Sequence, residues 1–98
     1  MKNYETVFIL NPALSEEQVQ KTVDKYEKSL KSNGAKIINK EVWGLKKLAY
    51  TIENKSSGFY NLLEYTAPAD IVSSLELEFT RDETVMRYLT VTLDKHAV

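Results

Sequence analysis

Lys46 and Lys47 stand side by side inside the otherwise apolar run EVWGLKKLAY, Glu41 to Tyr50. Adjacent ammonium groups in a strand-like segment either solvate one face or meet an anion. The chemistry they offer is phosphate contact, each lysine acting as a point charge. Other chemistry is scarce. The chain has no cysteine, so it has no thiolate nucleophile, no disulfide framework and no Cys-based zinc site. Its one histidine, His96, lies near the C-terminus, where a frayed tail is the commoner setting. Glu16 and Glu17 are adjacent carboxylates, but they fit the first turn of a helix better than an acid-base pair in a cleft. There is no Gly-rich phosphate loop. The inventory nominates no catalytic residue, metal ligand or cofactor, and it favours binding over catalysis.

Such lysines need a fold to hold them. The 98 residues correspond to a single domain, 1–98, with room for one core between two layers and none for a second domain. With 43% hydrophobic and 28% charged residues, and only three glycines and two prolines, the chain is expected to fold as an ordinary soluble domain. The absence of cysteine fits a reducing compartment, and the cytoplasm is the expected location. MKNYETVFIL lacks the cleavage site of a signal peptide, and no run approaches the ~20 apolar residues of a membrane span. Thirteen basic residues against fourteen acidic ones give a net charge of -1. A nucleic-acid role must therefore rest on local clustering, and the charges do segregate into acidic SEE, basic LKK and acidic LELEF.

YETVFIL, Tyr4 to Leu10, is β-branched and aromatic and stops at Asn11-Pro12, which predicts a first strand. LSEEQ then opens a helix. Ser15 is the N-cap, Gln18 occupies the capping-box position, and Glu16 and Glu17 complement the positive end of the helix dipole. Val19, Val23, Tyr26 and Leu30 form its apolar face, and Asn33-Gly34 closes it. Ala35 to Ile52 reads as a strand in which Gly44 marks a bulge or bend. A one-residue bulge would reverse the facing of everything after it, so the sequence leaves the direction of Lys46 and Lys47 open. At least one must point to the helix-free face or to an edge. Glu53 to Gly58 reads as a hairpin turn and Phe59 to Thr66 as the return strand. A second helix carries Ile71, Val72, Leu75 and Phe79 behind Pro68, and Val85 to Leu93 forms a last strand before the tail 94–98.

The order βαββαβ, with right-handed crossovers, predicts an α+β ferredoxin-like split β-α-β sandwich. Its four-stranded antiparallel sheet would carry both helices on one face and leave the other uncovered. Val7, Ile9, Leu89 and Val91 would make that uncovered face a docking surface. RNA-recognition modules share this element order. Here, however, the third strand places Asn61 and Glu64 where their base-stacking aromatics belong and Ser57 where a basic residue belongs, and Tyr60 reads as ordinary strand packing. A stand-alone single-strand RNA-binding module and a sheet-mediated oligomerising domain remain as alternatives.

At WGLKKLAYTI the chain resembles the bacterial small-subunit ribosomal protein six family. Gly44, Leu45, Lys46, Lys47, Leu48, Ala49, Tyr50, Thr51 and Ile52 match its signature, a glycine and two mostly basic residues followed by Leu-Ala-Tyr-x-Ile. Tyr4-Glu5, Asn11-Pro12, Gly58 before aromatics, and RDETVMRYL, Arg81 to Leu89, agree in position, so the likeness covers nearly the whole chain. Glu53, acidic where a basic or small residue is expected, and the lack of a long acidic tail are its departures.

The resemblance implies a structural protein that binds the central domain of small-subunit ribosomal RNA together with the small basic ribosomal protein eighteen, with no membrane and no small-molecule substrate. A basic partner would explain why this chain is only locally basic. Under it, Lys2, Lys46, Lys47, Arg81 and Arg87 are candidates for RNA phosphates or partner contacts, the alternative for each being a solvated surface charge. Glu5, Val7, Ile9, Glu41 and Trp43 are candidates for the partner surface, Trp43 fitting the core equally well. Arg81-Asp82 could instead be local turn chemistry.

Overall fold

The computed structural model describes residues 2–52 and 54–93; His96 and the tail 94–98, and the departure at Glu53, lie outside them. The elements run β1 (Lys2–Leu10), α1 (Glu16–Ser32), β2 (Lys36–Ile52), β3 (Lys55–Ala67), α2 (Ala69–Arg81) and β4 (Val85–Leu93). The strands form one antiparallel sheet in the order β2-β3-β1-β4. This is the split β-α-β sandwich expected from the element order.

The caps of α1 form as its sequence dictates. Ser15 Oγ accepts from the Gln18 amide at 3.2 Å, while Gln18 Oε1 accepts from the Ser15 amide at 2.9 Å. At the other end Ala35 N–H reaches Leu30 O (2.9 Å) and Gly34 N–H reaches Lys31 O (3.1 Å), with Gly34 at φ +89°. That is a Schellman closure, whose left-handed residue glycine adopts without a Cβ penalty. Ser15→Ala is expected to lower stability by about 1 kcal/mol, read from the urea midpoint at unchanged m-value.

Alternation places the core. Tyr4, Phe8 and Leu10 of β1 and Phe59, Leu63, Tyr65 and Ala67 of β3 face Val19, Val23, Tyr26 and Leu30 of α1 and Leu75 and Phe79 of α2. Phe8, Tyr26 and Phe79 meet in tilted and edge-on contacts at 4.6 to 5.8 Å between centroids. Polar groups in this layer are mostly paired. Thr6 Oγ1 is hydrogen-bonded to Tyr65 Oη at 2.9 Å and to Thr90 Oγ1 at 2.8 Å, whereas Asn61 Oδ1 is buried without a protein donor.

Asp82 ties the helix layer to β4. Its carboxylate accepts from the Thr84 amide (2.9 Å) and hydroxyl (2.6 Å), from the Tyr26 hydroxyl, and from Lys25 Nζ at 3.2 Å. Thr84 O in turn accepts from Asn11 N–H at 2.8 Å, at the end of β1. The turn chemistry suspected for Arg81-Asp82 is therefore present at Asp82.

Two expectations change. The segment Glu53 to Gly58 is not a six-residue turn, because β3 begins at Lys55 and Ile52 pairs with Lys55, with Asn54 at φ +65°. Nor is the helix-free face fully open. Tyr50, on the edge strand β2, accepts a 2.6 Å hydrogen bond from Arg87 Nη1 on β4, the opposite edge. The end of the β2–β3 hairpin must therefore cross over the sheet, and on that face Ile9 and Leu62 are buried.

Candidate nucleic-acid interface

Strand pairing determines which side chains share the helix-free face. Opposed residues of antiparallel strands point the same way, so one row holds Glu41, Leu62, Val7 and Leu89, the next holds Gly44, Tyr60, Ile9 and Arg87, and Lys46 lies opposite Gly58 beyond them. In the other direction come Asn39, Glu64, Glu5 and Val91.

The face is thus polarised along the strands. Glu5, Glu41 and Glu64, with Lys36 beyond them, lie toward one end, and Lys46 and Arg87 toward the hairpin end. In the same rows as these carboxylates Leu89, 64% exposed, and Val91, 42% exposed, present apolar surface.

A bulge sets the facing of the lysines. Val42 pairs with Asn61 and Gly44 with Tyr60, which leaves Trp43 as the extra residue, and Gly44 takes φ +83°. An extra residue re-aims the side chains around it. Trp43 stays on the helix-free face, near-parallel to Tyr60 at 6.3 Å between ring centroids and 16° between planes. Its Nε1–H donates to Glu41 Oε1 at 2.7 Å, and Asn39 Nδ2 donates to the other oxygen of that carboxylate at 2.7 Å. Those bonds, Trp43 first, hold the Glu41 carboxyl below its usual range. Past the bulge Lys46 faces the helix-free side, while Lys47, opposite Ser57, has the other parity. Both still line one open hollow with Trp43 and Tyr60.

Charge accounting separates structural cations from available ones. Lys40 of β2 is held by Glu27 (3.0 Å) and Asp24 (3.4 Å) of α1, and Lys21, Lys25 and Lys31 also have acidic partners. The hydrogen bond to Glu27 raises Lys40, and the same bond lowers Glu27. Among the described residues Lys46, Lys47 and Arg87 make no ion pair, and neither do Lys2, Lys28, Lys36, Lys55 and Arg81. Arg87 is instead oriented by Tyr50, donating to its hydroxyl with the guanidinium 5.6 Å from the ring centroid.

The sequence candidates therefore divide. Lys46, Lys47 and Arg87 belong to the hairpin end. Lys2 is opposite Ala67 at the far end of β1, with the parity of the helix side, and Arg81 is in the last turn of α2 beside Lys25, Glu78 and Asp82. Neither joins the cluster. Glu5, Val7, Ile9, Glu41 and Trp43 do share the helix-free face, but Ile9 is only 8% exposed and offers little to a partner. Trp43 is 42% exposed and is not core. Sequence reading missed Tyr50 and Tyr60 as parts of this surface. The bulge glycine was the one available signal for Tyr60, and the contact of Tyr50 with a strand thirty-seven residues away had none.

A split β-α-β sandwich with one half-covered sheet face, segregated charge and, among the described residues, no metal-ligand cluster defines a small α+β binding protein. Its fold alone does not name the ligand. The C-terminal domain of the MgtC protein from Mycobacterium tuberculosis shares it at TM-score 0.63 and 12% identity, over 100% of this chain and 93% of that one. The family is shown by sequence. The model for Ribosomal protein S6 matches residues 3–92, and the chain belongs to that family. Small ribosomal subunit protein bS6 of Christiangramia forsetii is 64% identical over 98 residues, covering 100% of this chain and 88% of that protein. The crystal structure of 30S ribosomal protein S6 from Thermotoga maritima superposes at TM-score 0.90 with 25% identity, covering 94% of this chain and 87% of that chain. The chain is accordingly a structural, non-enzymatic protein of the small ribosomal subunit, and its place is the cytoplasm.

Proposed function

We propose that the hairpin end of the sheet, Lys46, Lys47 and Arg87, contacts phosphates of the central domain of small-subunit ribosomal RNA, and that ribosomal protein eighteen docks on the rest of the helix-free face. The observation that carries this is the charge polarity of that face. At the hairpin end Lys46 and Arg87, with Lys47 beside them, make no ion pair among the described residues, while at the other end Glu5, Glu41 and Glu64 outnumber the single Lys36 and, with exposed Leu89 and Val91, suit a basic, partly apolar partner. Lys2 and Arg81, away from the cluster, are proposed only as peripheral contacts.

The test is assembly of the purified chain with ribosomal protein eighteen on a central-domain RNA fragment. Binding is expected to be weak for the chain alone and strong and salt-dependent with the partner. Lys46→Ala with Lys47→Ala should leave the unfolding midpoint unchanged, weaken assembly about tenfold near 0.15 M salt, and flatten the slope of log K against log salt by about 1.5. An unchanged slope would remove both lysines from the contact set. Equally tight binding without the partner would favour an autonomous RNA-binding module, and a stable homodimer with no RNA affinity an oligomerising domain.

A further inference from the structure

Trp43 is held half exposed by a costly arrangement. The strand inserts an unpaired residue, Gly44 adopts the left-handed region, and a carboxylate fixes the indole N–H. An aromatic of this size would ordinarily gain most by burial. Here its ring lies near-parallel to Tyr60, and the two rings share the wall of an open hollow of about 560 Å³ with Lys46 and Lys47.

Glu41, the nearest carboxylate to the indole by hydrogen bonding, is opposite Leu62, whereas Lys46 is opposite Gly58. The hollow is therefore cationic on the side away from Glu41. A flat π surface next to paired ammonium groups matches a ligand that is itself half flat ring and half phosphate.

We propose that this hollow takes one unpaired nucleotide, its base stacked on Trp43 and its phosphates against Lys46 and Lys47. This rests on the RNA-binding reading above and adds to it a base-stacking subsite. It is not the aromatic platform of RNA-recognition modules. The stacking residue comes from the bulge of the edge strand β2, and Asn61, at a position where such a module carries an aromatic, is buried on the helix side. The hollow is lined by two aromatic rings and two ammonium groups, and stacking on a ring accepts any base, as it does in other single-strand sites.

Trp43 is the only tryptophan, so its fluorescence reports the subsite directly. The chain is titrated at low salt with hexa-adenylate RNA and with an abasic backbone of the same length and charge. Hexa-adenylate is expected to quench Trp43 and to bind about tenfold more tightly than the abasic strand, which binds without quenching. Read by anisotropy of end-labelled strands, Trp43→Leu should lose that tenfold preference while keeping the abasic affinity and the unfolding midpoint, and Trp43→Tyr should restore most of the preference. Equal affinity for the two strands with no quenching would overturn the inference. So would quenching by ribosomal protein eighteen alone that hexa-adenylate cannot reverse, because the hollow would then belong to the protein interface. The two readings fail separately. If Trp43→Leu assembles on the central-domain fragment with wild-type affinity, the stacking subsite falls and the RNA reading stands; if the wild-type chain and partner do not assemble on that fragment, the RNA reading falls with it.

Discussion

Asp82→Asn is expected to lower folding stability by about 2 kcal/mol at pH 7, with the loss shrinking as the pH falls below about 4. Burial pushes the Asp82 carboxyl up, but hydrogen bonds from the Thr84 hydroxyl, the Tyr26 hydroxyl, the Thr84 amide and Lys25 outweigh it and hold the group at about 2, against an ordinary value of 3.8. A carboxyl held low favours the fold only while it is ionised. Its contribution is therefore complete above its unfolded value and lost as the pH drops from about 4 toward about 2. Tyr26 does not compete for the charge, since burial and then the neighbouring carboxylate push its hydroxyl up and keep it a neutral donor. Urea unfolding of both chains from pH 7 to pH 3 tests this. A loss that stays constant across that range would mean that shape, not charge, accounts for the effect. The prediction bears on function only through the scaffold, because Asp82 joins α1, α2 and β4 on the side of the sheet away from the Trp43 hollow.

Gly58→Ala is expected to cost about 2 to 3 kcal/mol, because a Cβ there would fall 2.4 Å from Ile9 Cγ2 and 3.1 Å from the Leu10 carbonyl oxygen. Gly58 takes no left-handed φ; space alone requires it. The site couples stability to the candidate interface, since Gly58 is the partner of Lys46 across the β2–β3 ladder. Ile9→Ala removes the nearer of the two clashing atoms. The double variant Ile9→Ala with Gly58→Ala should therefore lose about 1 kcal/mol less than the sum of the single changes. Strict additivity in urea midpoints would show that Ile9 is not what excludes the methyl group. Because the carbonyl at 3.1 Å cannot be removed, full rescue is not expected.

The helices were the most legible elements. Ser15, Gln18, the Val19-Val23-Tyr26-Leu30 stripe and Asn33-Gly34 each act within one or two turns of their own chain, so their physics is present in the order of residues. The alternation in β1, β3 and β4 was legible for the same reason. β2 was the hard strand. Ile38, Val42 and Leu45 look like core residues, yet all are exposed, because β2 is an edge strand and register shifts around Ile38 and Trp43 spoil simple parity. The ENKSSG segment misled in the opposite direction, since polar residues that suggest a loop extend the ladder to Lys55. Composition and pattern also pointed to binding rather than catalysis.

The sequence by itself determined the element order, the caps and the presence of a bulge glycine beside two lysines, because each depends on neighbours in the chain. Only the tertiary structure decided that Lys46 faces the helix-free side with Trp43 and Tyr60, that Arg87 joins the same end through Tyr50, and that Lys2 and Arg81 do not. The physical reason is register. A side chain's face reverses with each inserted residue, and which distant strand lies beside it is settled by packing across the whole sheet.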